Sequence, residues 1–488
     1  MKQYFVGVDV GSANVVMVVG SRTEGSELLN IEGVSIQESR RSIKEGRLCT
    51  TLSSAVINLS NAIKDAKLEL EEALGIKIEQ AYFGMGNSDT RCVIVDDFVP
   101  VKNKQTGVIS KEDVTILRQL IRQVKTESNS ERVVEIYPLA YYVNGEKRTL
   151  NPIDMQGSWL KGEYLLNIVL NDQVNTLKQL HHRTGMEIQR LFINPMITFP
   201  LLVTEKEAEE GVVIVDIGSE VTDVTIVREK RVQYYRSIAV GAEHINADLK
   251  SILPTGSNCS KIKHLYGSAM STCVSDNEVI QVGTKEVIRR NIATVIEARL
   301  MDIAELVARV VRESGHGQNI VHGYVLTGGS AAIDKIDQLF ERETNRPCRV
   351  ATTLNGIGSK PQDCEITPGQ HAAVAIMAQA AKYSSSYVVE SSPVQKAAVV
   401  PTEVEPTPVK PAEPKSVNPA QSTTPITTPT STPITDTTPK VEEKSEPKNV
   451  EPKRVEPKKA PKRSSGALSK IKSLVNIGRW MGEDNKSK

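Results

Sequence analysis

Residues 212–227 read VVIVDIGSEVTDVTIV, and residues 6–19 show the same pattern as VGVDVGSANVVMVV. Each stretch is an apolar strand ending in Asp, then Gly-Ser at a tight turn, then a second apolar strand. Such an Asp can hold a hydrated Mg²⁺ through its waters, and the turn offers backbone N–H groups, a hydroxyl and room for a phosphate. One copy alone is better explained as an ordinary hairpin with a polar turn. The duplication favours two hairpins, one from each half of the chain, that bind one triphosphate from both sides.

A third segment fits the same plan. Residues 323–333 read GYVLTGGSAAI, which predicts a strand, a Gly-Gly bend and the start of a helix. Glycines at this bend would let a flat base and its sugar lie against the backbone, and a helix N-terminus favours anionic groups. The chain has neither a Gly-x-x-x-x-Gly-Lys-Ser/Thr loop nor a Gly-x-Gly-x-x-Gly motif after a strand. P-loop and Rossmann sites are therefore excluded.

Composition limits the class of protein. The 488 residues fit two or three domains, and the net charge of +1 argues against a nucleic-acid partner. The six cysteines form no Cys-x-x-Cys pair, which favours a reducing compartment over a disulfide scaffold or zinc module. The start of the chain lacks the apolar run of a signal peptide, and no run is long enough to span a bilayer. We therefore expect a cytosolic chain without a transmembrane segment.

The chain changes character near residue 384. Before it, β-rich runs alternate with helical patterns, as in layered α/β proteins. Residues 385–463 are rich in Pro, Thr, Ser, Glu and Lys, and 15 of the 24 prolines lie between Pro393 and Pro461. Such a segment cannot bury enough apolar surface to offset the entropy of ordering it. It is predicted to be a disordered linker.

Apolar side chains return in residues 464–482, where helical spacing predicts an amphipathic helix. The predicted membrane-binding residues are Leu468, Lys470, Ile471, Lys472, Leu474, Val475, Ile477, Arg479, Trp480 and Met481. Basic charge and a Trp are typical of an interfacial anchor on an anionic membrane, although the helix could instead dock on the protein's own core or on a partner. Binding by a single copy would be marginal, so stable attachment would need many copies acting together.

In this order, the three motifs resemble the phosphate-1, phosphate-2 and adenosine motifs of the actin/hexokinase/DnaK-type ATPase superfamily. The closest resemblance is to the FtsA family of bacterial cell-division proteins. It is carried by QAYFGMG (80–86), RVVEIYPLAYYVNG (132–145), NPIDMQG (151–157) and KIKHLYGSA (261–269), and by the linker with its terminal amphipathic helix.

The resemblance implies an α/β, actin-like fold of two duplicated, ribonuclease-H-like domains. Domain 1 would begin at 1–83, an FtsA-type subdomain would be inserted at 84–192, and 193–384 would be mainly domain 2. Within domain 2 a smaller subdomain would occupy about 242–320, and the last part would return to domain 1. Pro200 falls in a segment that the family uses as a helix, where it would introduce a kink.

The resemblance also implies a site for ATP and Mg²⁺. The implied nucleotide-binding residues are Asp9, Gly11, Ser12, Asn14, Asp216, Gly218, Ser219, Asp223, Lys263, Gly328, Gly329 and Ser330. Asp9 and Asp216 would hold Mg²⁺ through water, and no catalytic residue is assigned.

Three departures from the family pattern bear on hydrolysis. Asn14 stands where the family usually has Lys. A glycine run of the family is replaced by Ser219, Glu220 and Val221, and a Glu is replaced by Ser260. These changes remove a cation near the phosphates and add a negative charge beside them. We therefore expect an ATP binder with weak or no ATPase activity.

The implied function is a peripheral protein on the cytoplasmic face of the cell membrane at the division site. It would form filaments, bind the C-terminal tail of FtsZ, anchor the FtsZ ring and recruit later division proteins. In the helix predicted over 285–299, Arg289, Arg290 and Arg299 could receive an acidic tail, or could simply lie on a solvated face. The alternatives are a sugar kinase or phosphatase of the same superfamily, or the pilus-assembly relative. The enzymes would need a substrate-binding insert that we do not find, and the pilus relative lacks the C-terminal extension.

Overall fold

The computed structural model describes residues 2–39, 42–44, 47–48, 53–123, 126 and 128–383. The strands of this part are β1 (Lys2–Val10), β2 (Asn14–Thr23), β3 (Leu29–Glu38), β4 (Ile43–Lys44), β5 (Arg47–Leu48), β6 (Gln80–Met85), β7 (Arg91–Pro100), β8 (Glu131–Val143), β9 (Lys147–Thr149), β10 (Trp159–Leu170), β11 (Glu187–Ile193), β12 (Val212–Ile217), β13 (Thr222–Arg228), β14 (Arg231–Ile238), β15 (Val279–Val282), β16 (Lys285–Ile288), β17 (Tyr324–Thr327), β18 (Cys348–Val350) and β19 (Ile357–Ser359). The α-helices are α1 (Ser53–Leu74), α2 (Lys111–Arg122), α3 (Asn171–Thr184), α4 (Asn194–Ile197), α5 (Phe199–Leu202), α6 (Glu205–Glu210), α7 (Ala242–Leu249), α8 (Cys259–Tyr266), α9 (Arg289–Glu313), α10 (Ile336–Thr344) and α11 (His371–Tyr383).

The first lobe is built on a six-stranded sheet in the order β11-β6-β1-β2-β3-β19. Because successive side chains of a strand point to opposite faces, the continuous apolar runs of β1 and β2 require cover on both sides. Helix α11 packs against β1 and β2, where a Cβ on Gly7 would lie 2.5 Å from the Met377 nitrogen. Helix α1 packs on the other face, where a Cβ on Gly33 would lie 2.9 Å from Leu70 Cδ2.

The second lobe has the same layered construction. Its strands run in the order β18-β17-β12-β13-β14, with β12 antiparallel to β13 and parallel to β17. The long helix α9 supplies nine buried residues, including Ile292, Ile296 and Leu300, and these pack with the apolar residues of β12 and β13 in one core. The small β15–β16 hairpin and helices α7 and α8 lie on the same lobe.

An inserted subdomain follows β6. Strands β7, β10, β8 and β9 form an antiparallel sheet with its own core around Tyr141, Tyr164 and Leu166, and α2 packs on it. Strand β7 also pairs with β14 through Arg91 and Arg236, so the insert sheet and the second-lobe sheet form one nine-stranded sheet.

Three expectations about the elements need correction or completion. The insert is shorter than 84–192, because β11 pairs in parallel with β6 and so belongs to the first lobe. The helix expected over 285–299 begins only at Arg289, because residues 285–288 form strand β16. The kink expected at Pro200 takes the form of two short helices, α4 and α5, with Thr198 between them.

The predicted linker at 385–463 and the predicted amphipathic helix at 464–482 lie outside the described residues. Within the part of the chain that is described, no helix has both the length and the apolar character needed to cross a membrane.

Candidate nucleotide-binding site

The two sequence repeats fold into the same turn. In the β1–β2 hairpin the Gly11 N–H donates to the Asn14 carbonyl at 3.0 Å, and in the β12–β13 hairpin the Gly218 N–H donates to the Val221 carbonyl at 2.9 Å. Each hairpin thus closes a four-residue turn directly after an acidic strand end. The repeated sequence pattern is therefore also a repeated geometry, with one copy in each lobe.

Both turns open onto one cavity of about 930 Å³ between the lobes. This volume lies within the range of ligand-binding clefts. All the predicted nucleotide residues line it: Asp9, Gly11, Ser12, Asn14, Asp216, Gly218, Ser219, Asp223, Lys263, Gly328, Gly329 and Ser330. The structure thus brings together residues from two lobes that are distant in sequence.

Three carboxyl groups dominate the electrostatics of the cavity. Asp9 accepts a hydrogen bond from Asn194 Nδ2 at 2.8 Å, and burial raises the pKa of Asp9 to about 6 against the opposing effect of that bond. Burial, followed by the charges of Asp223 and Asp9, raises the pKa of Asp216 to about 8. Burial also raises the pKa of Asp223 to about 6, although the Ser237 hydroxyl donates to it.

These raised pKa values show that negative charge is costly in the cavity, because burial and repulsion both oppose ionisation. A divalent cation would offset that cost, and carboxylate oxygens suit Mg²⁺. In the described residues, however, no group of three His, Cys, Asp or Glu side chains is arranged to hold a metal directly. The donor set fits a cation that is held partly through water or through the oxygens of a ligand.

The Gly-Gly bend lies beside the second hairpin. Gly328 has a φ of +84°, and a Cβ on it would lie 2.3 Å from Asp216 Oδ1, so a side chain there would be strained and would clash. A Cβ on Gly329 would meet no atom of the described chain within 4 Å, so this position faces open space. The bend leads into a 3₁₀ turn at Gly329–Ala332, and α10 begins only at Ile336. The helix start predicted at this bend therefore takes the form of a short 3₁₀ turn.

Helix α8 contributes Ser260 and Lys263 to the cavity wall. The Lys263 side chain is 2% exposed and makes no ion pair within the described residues. Burial lowers the pKa of Lys263 to about 8, and the nearby charge of Glu243 partly opposes this shift. A buried amine that faces a cavity without a close carboxylate partner is suited to an anionic or polar ligand.

Several residues of the site were missed from the sequence. Asn194, Glu38, Gly86, Glu243 and Asn246 all line the cavity, and a Cβ on Gly86 would lie 2.7 Å from Asp223 Oδ2. The Asn194 Oδ1 atom is buried without a partner among the described groups. Asn-Pro directly after an apolar strand is a helix-start signal, and it was the one sequence cue for Asn194. Gly86 ends the QAYFGMG stretch that carries the family resemblance, and Glu38, Glu243 and Asn246 belong to no motif.

The three arginines predicted to bind a partner lie away from the cavity, on α9. Arg289 pairs with Glu278 at 2.9 Å, and Arg290 pairs with Asp276. Arg299 pairs with Asp248 at 2.8 Å, and only 11% of its side chain is exposed. Their role in partner binding stays a prediction.

Comparison with known proteins identifies the family. The family model described as cell division protein FtsA matches residues 213–375, and the model of the SHS2 domain inserted in FtsA matches residues 87–167. The second match ends before α3, in agreement with the shorter insert seen in the structure.

Full-length relatives agree with the family models. The cell division protein FtsA of Pseudomonas aeruginosa is 25% identical over 353 residues, which cover 71% of this chain and 82% of the relative. The cell division protein FtsA of Bacillus subtilis is 26% identical over 362 residues, which cover 72% of this chain and 79% of the relative. Among solved structures, the PilM–PilN type IV pilus biogenesis complex has a TM-score of 0.55 at 13% sequence identity. The match covers 77% of this chain and 98% of the other chain. This likeness shows the fold alone. The chain belongs to the FtsA family of actin-like cell division proteins.

Proposed function

We propose that the chain is a membrane-tethered, actin-like polymer that binds ATP with Mg²⁺ and anchors the FtsZ ring to the cytoplasmic membrane. The observation that carries this proposal is the single cavity formed by the two equivalent hairpins and the Gly-Gly bend, in a chain of the FtsA family. The proposed function also includes self-assembly into filaments and recruitment of later division proteins at the division site.

The residues of the cavity fit a magnesium nucleotide. The turns after Asp9 and Asp216 would hold the phosphates, and these two carboxylates would hold Mg²⁺ through water. The open space at Gly329 would accept the base. When bound, Mg²⁺ would neutralise phosphate charge and relieve the repulsion among the buried carboxylates.

We propose binding with weak or no hydrolysis. Asn14 provides no positive charge at the first turn, and the Glu220 carboxylate lines the cavity. Both features disfavour the negative charge that develops on transferring phosphate oxygens. Nucleotide would then control assembly mainly through occupancy.

Membrane attachment rests on the sequence of residues 464–482. From Pro457 to Gly482 the chain has seven Lys or Arg residues and no acidic residue, and Trp480 lies outside the apolar half of the predicted helix. One such helix binds marginally, and a filament would multiply the attachment points. Polymerisation and membrane binding are therefore parts of one function.

The second lobe is proposed to receive the FtsZ tail. The arginines of α9 are already paired within the lobe, so an acidic peptide would have to replace Asp276 or Glu278. Arg290 is the most accessible of the three, with 33% of its side chain exposed. Arg290→Glu should therefore weaken binding of an FtsZ tail peptide more than Arg118→Glu, a control on the insert surface.

Calorimetry tests the nucleotide proposal. Full-length protein should release heat on titration with ATP in Mg²⁺, and Asp216→Ala should abolish it, whereas Asp65→Ala on the exposed face of α1 should not. Absence of ATP heat from the unmodified protein at millimolar ATP would show that the site does not bind nucleotide.

Sedimentation with anionic liposomes tests the tether. Deletion of residues 464–488 should move the protein into the supernatant, and charge reversal at Lys470, Lys472 and Arg479 should weaken attachment more at low salt than at high salt. Unchanged co-sedimentation of the deletion variant would reject the anchor.

A further inference from the structure

The insert sheet has one covered face and one open face. Leu117 of α2 packs with Leu160 of β10 in the core of the insert. Because successive side chains of a strand alternate between the two faces, Trp159 and Lys161 belong to the opposite face. Phe98 of β7 is paired with Lys161 and shares its face, since residues directly opposite each other do so. One face is thus packed against a helix, and the other presents aromatic rings.

The open face carries an aromatic platform, formed by Phe98, Trp159 and Tyr142. Phe98 is 63% exposed, and its ring meets the Trp159 ring edge-on with the centroids 6.0 Å apart. Trp159 is held in place, because a Cβ on Gly145 would lie only 2.9 Å from its ring and its N–H donates to Asn144 Oδ1 at 3.3 Å. Exposed and fixed aromatic side chains are typical of a binding surface.

Acidic side chains border the platform. Lys161 lies between Phe98 and Tyr142 across the strands and forms an ion pair with Asp96. Glu163 is paired across the strands with Asp96 and adds a second carboxylate to the same face. Two carboxylates therefore accompany one lysine. A ligand that suits this face combines apolar rings with positive charge.

One segment outside the described residues has this chemistry. Residues 404–415 read VEPTPVKPAEPK, where Pro408, Pro411 and Pro414 form the one set of three prolines in the chain with an even spacing of three. A polyproline II helix has three residues per turn, so these prolines would form a single apolar ridge. Aromatic grooves bind such ridges because the proline helix is already formed and loses little entropy. Lys410 supplies the positive charge.

The linker begins at a distance from the platform that suits this segment. The Tyr383 ring centroid lies 4.2 Å from the guanidinium carbon of Arg190, which pairs with Glu135 of β8 at 2.6 Å. Tyr142 lies seven residues farther along β8, or about 23 Å at the rise of a strand. The 25 residues from Tyr383 to Pro408 typically span about 25–30 Å. The two lengths match, which favours docking within one copy of the chain.

We propose that the aromatic platform of the insert binds the proline ridge of residues 404–415 of the same chain. The docked segment leaves residues 416–463 as the free tether in place of 385–463. The contact therefore limits how far the folded part can stand from the membrane. This consequence rests on the proposed membrane attachment, whereas the contact itself does not.

Tryptophan fluorescence tests the contact in the full-length chain without lipid. Trp480→Phe leaves Trp159 as the single tryptophan, and replacement of the three evenly spaced prolines by alanine vacates the platform. A peptide of residues 404–417 should bind this alanine variant and change the Trp159 emission. Its Kd should be about tenfold lower than for the chain with intact prolines, because there the chain's own segment competes. Phe98→Ser in the alanine variant should raise this Kd about tenfold or more.

A matched control separates the platform from exposed apolar surface in general. Leu68 on α1 is 61% exposed, and Leu68→Ser should leave the peptide titration unchanged. A peptide with alanine at the three proline positions should not bind. Absence of binding to the alanine variant, or equal affinity for the two chains, overturns the proposal.

Other occupants of the face give different results. If Phe98→Ser abolishes self-association but leaves the peptide titration unchanged, the platform binds a second copy and the proposal is overturned. Failure of the protein to sediment with liposomes would reject the membrane tether without affecting this titration. The two proposals therefore fail separately.

Discussion

The two hairpins have the same turn geometry, but they differ in the residue that is paired with the aspartate at the end of the first strand. In the first lobe Asp9 is paired across the strands with Val16, whereas in the second lobe Asp216 is paired with Asp223. Asp9 has an amide donor in Asn194, and Asp216 has no hydrogen-bond partner among the described residues. The duplication thus reproduces the shape of the site, while the electrostatic cost is concentrated in the second lobe.

The facing carboxyl groups of the second hairpin lower the stability of the folded protein in the absence of a cation. Two buried carboxyl groups in direct register repel each other, and each would be more stable neutral. A valine in place of Asp223 would remove this repulsion and give Asp216 the same kind of partner that Val16 is for Asp9. Without a cation the electrostatic cost is therefore larger in the second hairpin, where the pKa of Asp216 is raised to about 8, than in the first, where the pKa of Asp9 is raised to about 6.

The sharpest test exchanges the facing residues. Val16→Asp would give the first hairpin the pattern of the second, and it should destabilise the protein by about 3 kcal/mol or more, because a buried carboxyl has no partner there. Asp223→Val should instead stabilise the protein without ligand. Urea unfolding monitored by circular dichroism measures both, and equal effects of the two variants would refute the asymmetry.

Neutralising the two strand ends should also have unequal effects. Asp216→Asn should raise the unfolding free energy of the ligand-free protein by about 1–3 kcal/mol and abolish Mg²⁺-dependent ATP binding. Asp9→Asn should stabilise less, because the hydrogen bond from Asn194 already supports the ionised form. Thermal unfolding measured with and without Mg²⁺-ATP reports the stability of each variant and its stabilisation by bound nucleotide. A loss of stability in Asp216→Asn would contradict the larger electrostatic cost in the second hairpin.

The pH dependence of stability follows from the same groups. Folded pKa values of about 8 for Asp216 and about 6 for Asp223 lie above the ordinary value of 3.8, so the folded state binds more protons between these limits. Stability without ligand should therefore fall as pH rises from about 4 to about 8, by up to about 1.4 kcal/mol per pH unit for each proton. Asp216→Asn should remove the upper part of this slope, and an unchanged slope would argue against the assignment.

The hydrogen-bond donors of the two hairpins give a smaller effect. Asn194→Ala should raise the pKa of Asp9 further, and Ser237→Ala should do the same for Asp223, because each substitution removes a donor to the ionised carboxylate. We expect a loss of about 1 kcal/mol in stability near neutral pH for each. Carboxyl-carbon NMR titration of Asp-labelled protein measures the shifts, and each variant serves as the control for the other.

The smallest expected effects concern the departures from the family pattern. Asn14→Lys in the first turn and Glu220→Gln in the second should each tighten ATP binding about three- to tenfold, because each makes the cavity less negative. The gain should shrink with added salt, since these charges face a solvent-accessible cavity. Calorimetry at two salt concentrations tests this, and weaker binding in Asn14→Lys would contradict the charge argument.

Motifs with local geometry could be predicted well from the sequence. An apolar strand, an acidic end and a Gly-Ser turn need only neighbours in the chain, so both hairpins form as predicted. All the residues predicted to bind nucleotide line one cavity. Glu243 and Asn246 were missed because nothing near them in sequence marks them; helix α7 aims them at the cavity only through its hydrogen bonds to Gly218 and Ser219. The carboxy-terminal limit of the insert was missed because β11 is assigned by its pairing with β6.

The sequence by itself determined the duplicated hairpins, the layered α/β class and the abrupt change of composition near residue 384, because these depend on local spacing and composition. Only the tertiary structure decided that Asp216 faces Asp223 while Asp9 faces Val16. The same holds for the pairing of Arg289, Arg290 and Arg299 within the second lobe. The physical reason is that charge in a cavity depends on burial and on every neighbour in space, and those neighbours come from segments far apart in the chain.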